Sequence, residues 1–403
     1  MGRSGAAVDM GLEYIRKKYN DTLDIKFTPG YAVSGPTEAG AAAAELYYKH
    51  NVDAFIGPGS STSVEAMGHL VTQWNLPFIT PAGGSGTLAD KILYPTLTRM
   101  SPISVESYSY FILKMIDKYS WNHFVIFHSG SVSRLHWYSM DDILKANNDY
   151  SWSHYEIDQE TFTTADYERI LIDASKYARV FILYTNAPET REILLVAHRL
   201  GYSKGEYVML VTKGLDRSID ESYWRYGDDN DEAAKNAYQS CLFFTGEAVS
   251  SAFAAFEQEV KERALRDYGF DYVGTNTSVH FLTASYYDSF VMFGQVLNET
   301  VAEGGDPRDG RAFAERLWNR TYPGVTGAYT INSEGARDSE VYMHDLDPAT
   351  GAFKLVGRYI RAKDSLIIVD EIHWPGGGPP LDIPKCGFRN DRCLSSGKLG
   401  TVR

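Results

Sequence analysis

The chain has 403 residues, a formal net charge of −13, 44% hydrophobic and 23% charged residues, which is enough for two ordinary lobes with separate cores. The acidic balance, with no long Lys/Arg run, argues against a nucleic-acid surface and leaves a field that attracts basic peptides. No window approaches the roughly 18 to 20 uninterrupted apolar residues that a membrane helix needs.

Met1 to Gly5 leads directly into the helical spacing of Val8 to Lys18, with no signal peptide. An α/β lobe ordinarily begins with a strand, so the expectation is a fragment lacking its first one. Leu23 to Phe27 is extended and Ala-rich Thr37 to Lys49 is helical. Val52 to Ile56 then forms a short apolar strand that runs into Gly57-Pro58-Gly59. Ser60 to Ser63 are N-cap candidates for the helix of Val64, Met67, Leu70 and Val71. Amides at such a turn, together with the helix dipole, suit an anion or a polar ligand group. The same turn is also an ordinary α/β connection, since no Walker sequence or dinucleotide fingerprint follows it. Trp74 to Pro81 reads as a second strand, closed by the small-residue loop Ala82 to Gly86.

The alternation restarts with a helix over Val105 to Tyr119, a strand at Phe124 to Phe127, a helix over Trp137 to Asn147 and a strand at Ser153 to Ile157. Helices at Ala165 to Ala174 and Pro188 to Leu200 alternate with strands at Val180 to Tyr184 and Tyr207 to Val211. This βαβ spacing implies parallel sheets covered on both faces. Long helices over Ser250 to Tyr268 and Val279 to Glu303 return to the first lobe. Thr326 to Ile331, Tyr342 to Leu346 and Phe353 to Tyr359 read as a meander, and Trp374 to Pro380 as an irregular exit.

Of three cysteines, Cys386 and Cys393 enclose a turn-rich loop that a disulfide could close, while Cys241, followed by Leu242, Phe243 and Phe244, reads as a buried core residue. Sequons stand at Asn20, Asn276, Asn298 and Asn319. With the terminal Cys pair they lean extracellular.

Three stretches carry a resemblance: Leu317 to Gly327, Asp345 to Phe353, and Trp374 to Pro380 with Asp382 to Phe388. Through them the chain resembles, over nearly its whole length, the extracellular ligand-binding domain of natriuretic-peptide-type receptors, the receptor guanylyl cyclases, in a divergent and invertebrate-like form. The resemblance implies an α/β, type I periplasmic-binding-protein-like fold with two lobes. Residues 1–102 with 246–324 would form the membrane-distal lobe, 103–245 with 325–373 the membrane-proximal lobe, and 374–403 the juxtamembrane segment. It implies a membrane-proximal disulfide, here Cys386 with Cys393. A transmembrane helix, kinase-like domain and cyclase domain of the parent receptor are absent from this chain, so no catalytic residue is assigned.

The resemblance places a chloride on the turn at Gly59 and Ser60, and no other cofactor or metal. Family cysteines correspond to Ser34 and Ser60, and to about Trp137 and Ser203, so both bridges are lost here and the rigid support of the chloride site with them. One peptide hormone bound between two receptor chains would face Thr62 and His69 in the first lobe. In the second it would face Tyr138, Asp142, His154, Glu156 and Ile157. Glu156 would pair with a ligand Arg, worth roughly 1.5–3 kcal/mol if buried. His154 and Glu156 also read as the wet face of a strand. Signalling would follow from reorientation of a homodimer at the outer face of the plasma membrane, passed on through Trp374 to Cys393.

Two other readings compete. Enzyme chemistry lacks a His-Glu-x-x-His pair, a Cys/His cluster and a Gly-x-Ser-x-Gly elbow, and Asp228 to Glu232 has the wrong spacing for a calcium loop. A small-molecule sensor would instead use Ser60, Ser61, Thr80 and Ser85 in an interlobe cleft. A clearance receptor without a cyclase shares all the features above.

Overall fold

The computed structural model describes residues 3–30, 35–101, 105–147, 149–212, 223–246, 251–275, 277, 279–338, 340–389 and 391–393. The chain divides into two compact units, Met1–Ser104 with Glu247–Ser339, and Val105–Gly246 with Glu340–Arg403.

The first unit opens with α1 (Gly5–Lys18) and α2 (Pro36–His50), then β1 (Phe55–Ile56), α3 (Ser61–Trp74), β2 (Phe78–Thr80) and β3 (Leu97–Arg99). The three strands pair in parallel in the order β1-β2-β3. The central β2 is buried on both faces, and its alternation sorts the core. Phe78 packs with Ala39, Ala43, Val64 and Val71 of α2 and α3. Ile79 turns to the other face, against Met292, Val296, Phe313 and Leu317. The segment Leu23 to Phe27 is irregular rather than a strand, although Ile25 packs beside Val8, Leu12 and Ile15.

The second unit runs through α4 (Val105–Lys118), β4 (His123–Ser129), α5 (Ser131–Ala146), β5 (Ser151–Ile157), α6 (Thr164–Ala174), β6 (Val180–Tyr184), α7 (Ala187–Arg199), β7 (Val208–Thr212), α8 (Asp231–Tyr238) and β8 (Cys241–Thr245). β6, β7 and β8 are buried at every position, as expected of strands with helices on both faces. Phe181, Leu183, Val125 and Phe127 meet α6, α7 and α8 in one cluster. Phe111 of α4 meets Phe244 edge-on, with ring centres 4.9 Å apart.

The chain then returns to the first unit as α9 (Ser251–Tyr268), α10 (Phe281–Ala302), α11 (Gly310–Leu317), β9 (Arg320–Tyr322) and β10 (Tyr329–Ile331). It finishes in the second unit as β11 (Glu340–Leu346), β12 (Phe353–Ile360) and β13 (Ser365–Ile368). The eight-stranded sheet has the order β13-β12-β11-β8-β7-β6-β4-β5, parallel from β8 to β5 and antiparallel from β8 to β13. Two expectations change here. β10 pairs antiparallel with β9, Tyr329 opposite Tyr322, so it does not join the meander. Residues 325–339 therefore belong to the first unit, where Arg99 also bridges to Ala336, and the meander is β11, β12 and β13.

Candidate ligand-binding surfaces

In the first unit the turn after β1 is tied down by its own hydroxyls. Ser60 caps α3: its Oγ accepts from the Ser63 amide at 3.3 Å and donates to Ser63 Oγ at 2.8 Å. Thr80 Oγ1 donates to the Pro58 carbonyl at 2.8 Å, and Ser61 Oγ accepts from the Ser85 amide at 3.3 Å. Arg99 donates from Nη1 to the Ser85 carbonyl at 3.1 Å, which places a guanidinium under the second loop. A Cβ at Gly59 would stand 2.5 Å from Tyr286 Oη, so a larger residue there requires the Tyr286 ring to shift. Gly59 and Ser60 are exposed at the start of α3, where the helix dipole favours negative charge. Thr62 and His69 are both exposed and lie two turns apart on one side of α3, with the His69 ring 5.2 Å from that of Tyr94. Ser34 lies outside the described residues.

In the second unit β5 is the outermost strand of the sheet and pairs with β4 alone among the described residues. Its burial follows the pleat only over its last three residues: Ser153, His154 and Glu156 are exposed, Trp152 and Tyr155 half-buried, and Ile157 is 2% exposed. Ile157 packs in the core with Phe127 and Leu171, so its place among the ligand-facing residues is corrected. A strand alternates faces, and the residue after Glu156 points inward. Tyr155 shares that inward face and donates its hydroxyl to Asp173 at 2.5 Å.

His154 and Glu156 share the face covered by α5. There Trp137 stacks on both His128 and His154, with centroid distances of 4.6 and 4.4 Å. The residues that follow on α5, Tyr138 at 52% exposure and Asp142 one turn on, are accessible on the same helix. His154, Glu156, Tyr138 and Asp142 thus lie on two adjoining elements. His128 and Trp137 were missed as members of this surface. Their signal was the common parity of Phe124, Ile126 and His128 with Trp152, His154 and Glu156, which the parallel register makes neighbours. Ser203 is engaged elsewhere, its hydroxyl 2.7 Å from His198 Nδ1.

Residues 3–348 match the family described as Receptor family ligand binding region. The chain belongs to that family. It is 34% identical over 244 residues to Receptor-type guanylate cyclase gcy-28 of Caenorhabditis elegans, covering 59% of this chain and 19% of that protein. It is 27% identical over 365 residues to Atrial natriuretic peptide receptor 2 of Anguilla japonica, covering 87% and 34%. The chain thus spans about a third or less of the length of these relatives. Among solved structures it is similar to a solute-binding protein of an ABC transporter from Rhodopseudomonas palustris BisB5 in complex with 3,4-dihydroxy benzoic acid, with a TM-score of 0.59, 16% identity and coverage of 93% and 95%. It is likewise similar to the leucine-binding protein LivK of Thermotoga maritima MSB8, with a TM-score of 0.57, 16% identity and coverage of 90% and 95%. The fold is therefore periplasmic-binding-protein-like, and the family is a ligand-binding region rather than a catalytic domain.

In this receptor ligand-binding region the segment beyond residue 370 packs on the second unit. Trp374 meets Tyr119 and Trp121 edge-on at 5.4 and 6.2 Å, and Trp121 Nε1 donates to the Pro380 carbonyl at 2.8 Å. Asp382 Oδ1 accepts from the Asn122 and His123 amides at 2.7 and 2.8 Å, while Oδ2 lies 2.8 Å from His123 Nδ1. Asp345, with no exposed surface, accepts from the His373 amide at 2.5 Å. Burial raises its pKa from 3.8 to about 6. A groove of 490 Å³ runs between Gly205, Glu206 and the Gly376 to Pro380 stretch. Cys386 and Cys393 are joined, with Cα atoms 4.9 Å apart, and Cys241 is a buried free thiol.

Asn20 and Asn319 are exposed, and Asn319 adopts a positive φ of 55°. Asn298 is half-buried and accepts from Thr22 Oγ1, within the Asn20 sequon, at 2.6 Å. Asn276 lies outside the described residues. The acidic loop at 228–232 is partly neutralised by Arg191, whose guanidinium donates to Asp228 at 3.0 and 2.6 Å and to Asp231 at 3.0 Å. No group of three or more His, Cys, Asp or Glu converges on a metal position, and no helix is long and apolar enough to cross a membrane, among the described residues.

Proposed function

We propose that this chain is the extracellular sensing region of a natriuretic-peptide-like receptor guanylate cyclase, and that it takes a peptide ligand along β5 and the exposed side of α5. The observation that carries this reading is the edge position of β5. An outermost strand offers unpaired backbone donors and acceptors to an extended peptide, and side chains on one face supply selectivity. Glu156 and Asp142 give that face negative charge, in keeping with the net charge of −13. The names of the relatives, a receptor-type guanylate cyclase and an atrial natriuretic peptide receptor, point the same way.

In this reading Thr62 and His69 meet the same ligand in a homodimer, and the segment after Trp374 carries the change toward the membrane through its Asp382 and Trp121 contacts. A chloride on the Gly59 and Ser60 amides is part of the proposal, with Ser60 Oγ committed to the cap. A second reading, a small polar ligand at the first unit's turn, draws on Ser61, Thr80 and Ser85. The structure ties Ser61 Oγ and Thr80 Oγ1 into internal bonds, which leaves them less able to receive a ligand.

The test is light scattering of the glycosylated chain with a panel of disulfide-ringed peptides. A ligand-dependent dimer holding one peptide per two chains supports the proposal. Absence of peptide binding, with free amino acids raising the melting temperature of a monomer, replaces it by the second reading.

A further inference from the structure

Lys91 lies in the first unit, half-buried, on the connection between β2 and β3. A lysine ammonium withdrawn from water ordinarily meets a carboxylate. Among the described residues Lys91 has no carboxylate in ion-pair contact. Its Nζ donates to the Leu97 carbonyl at 2.6 Å and stands 4.9 Å from the centre of the Trp318 ring. That indole is fixed in turn. Its Nε1 donates to Thr98 Oγ1 at 2.9 Å, and Gly335 lies so close that an added Cβ would stand 2.5 Å from Nε1. A neutral amine suits this place: one N–H goes to the carbonyl, the second to the aromatic face, and the lone pair points away from both.

The charged neighbours come from three segments. Arg99, two residues beyond Leu97 on β3, is buried and donates from Nη1 to the Ser85 carbonyl at 3.1 Å. Glu334 is exposed on the turn after β10. Asp90, next to Lys91 in the chain, accepts from the Ile92 and Leu93 amides at 2.8 and 3.2 Å. Burial first, and Arg99 second, lower the Lys91 pKa from 10.5 to about 7, with Glu334 opposing. At pH 7.5 most copies therefore carry the nucleophilic amine, whereas exposed lysines are almost entirely protonated.

We propose that Lys91 is a reversible carbon dioxide site, forming a carbamate whose negative charge is stabilised by Arg99. The Nζ lone pair attacks the carbon of carbon dioxide, one C=O π pair moves onto an oxygen, and one amine proton leaves to solvent. A neutral amine and carbon dioxide thus become a carbamate monoanion and a proton, with nothing oxidised or reduced. The carbamate nitrogen keeps one N–H for the Leu97 carbonyl. Arg99 selects this electrophile over an aldehyde: an imine is neutral or cationic and gains nothing from a guanidinium, whereas a carbamate turns a repulsive neighbour into an attractive one. The site is independent of where a peptide binds.

The 403-residue chain is equilibrated with isotopically labelled bicarbonate and carbon dioxide, and carbamates are alkylated with triethyloxonium and located by peptide mass spectrometry. At pH 7.5 the trapped group is expected on Lys91 at least about tenfold above the exposed Lys17 and Lys204. Its occupancy should fall by half as the pH is lowered to about 7. A labelled carbamate resonance in the carbon NMR spectrum should be lost in Lys91→Met. Occupancy at Lys91 no higher than at Lys17 and Lys204, or rising only toward about pH 10 as theirs does, overturns the proposal. So does a carbamate resonance as strong in Lys91→Met as in the wild type. If that variant does not fold, the wild-type peptide map and pH profile still decide the matter, and each outcome leaves the peptide reading standing.

Discussion

Asp345→Asn should stabilise the second unit at neutral pH. Asp345 stands on β11 opposite Leu242 of β8 and Lys354 of β12, with no exposed surface. One oxygen accepts from the His373 amide at 2.5 Å, and the other has no hydrogen-bond partner. Burial is the largest influence and raises its pKa from 3.8 to about 6, against the opposing pull of the His373 amide and Lys354. The folded state therefore binds its proton more tightly than the unfolded chain. Its contribution is fully present below pH 3.8 and is lost as pH rises through about 6. At about 1.4 kcal/mol per tenfold change in proton affinity, that interval caps the penalty at pH 7.5 at about 3 kcal/mol. Asparagine keeps an oxygen for the His373 amide and carries no charge. The variant should gain about 1–3 kcal/mol at pH 7.5, or about 3–8 °C in melting temperature for a unit of this size, and little at pH 4.5. Differential scanning calorimetry at both pH values measures it. An Asn variant that melts lower than wild type at pH 7.5, or a gap that is the same at both pH values, would refute the argument.

Gly59→Ala should destabilise the first unit, since the new methyl would meet Tyr286 Oη at 2.5 Å, and Tyr286→Phe in the same chain should recover most of the loss by removing that oxygen. Thermal unfolding of the two single variants and the double variant measures the coupling, and strictly additive effects would count against the contact. Asp382→Ala removes the acceptor for the Asn122 and His123 amides and the partner of His123 Nδ1. Hydrogen exchange at 122–123 and 379–388 should accelerate while the first unit's amides keep their rates; unchanged protection of the exit segment would show that Trp121 and Trp374 hold it alone.

Where a segment's own pattern decided its structure, the sequence was enough. Val180 to Tyr184 reads as a continuous apolar run and is a strand buried at every position. Ser60, before an apolar helical repeat, is the N-cap. The short elements were less legible. β3, β9 and β13, of three to four residues each, carry no period of their own and exist because a neighbour supplies the ladder. β10 illustrates the same dependence: its residues are strand-like, but which strand they join is decided by Tyr322 and Tyr329 meeting across the β9 pair. The acidic loop at 228–232 is largely exposed, and no local pattern shows that its counterion is Arg191, 37 residues from Asp228.

The surface at β5 shows what a linear pattern leaves out. Alternation alone marks His154 and Glu156 as one face of a strand, and that is also the pattern of any solvated edge. What separates the two cases is the register with β4 and the position of α5. These lay His128 and His154 on a single indole and leave β5 outermost. A solvated edge needs no histidine buried to 4% exposure with its ring nitrogen turned toward the outer strand. Polar atoms at that depth are costly unless paired, so the partner at 154 has a structural reason to be histidine as well as an exposed ring. The residues that fix the strand and the residues offered to a ligand are thus in part the same. A substitution at His154 must accordingly be read on the fold and on binding together.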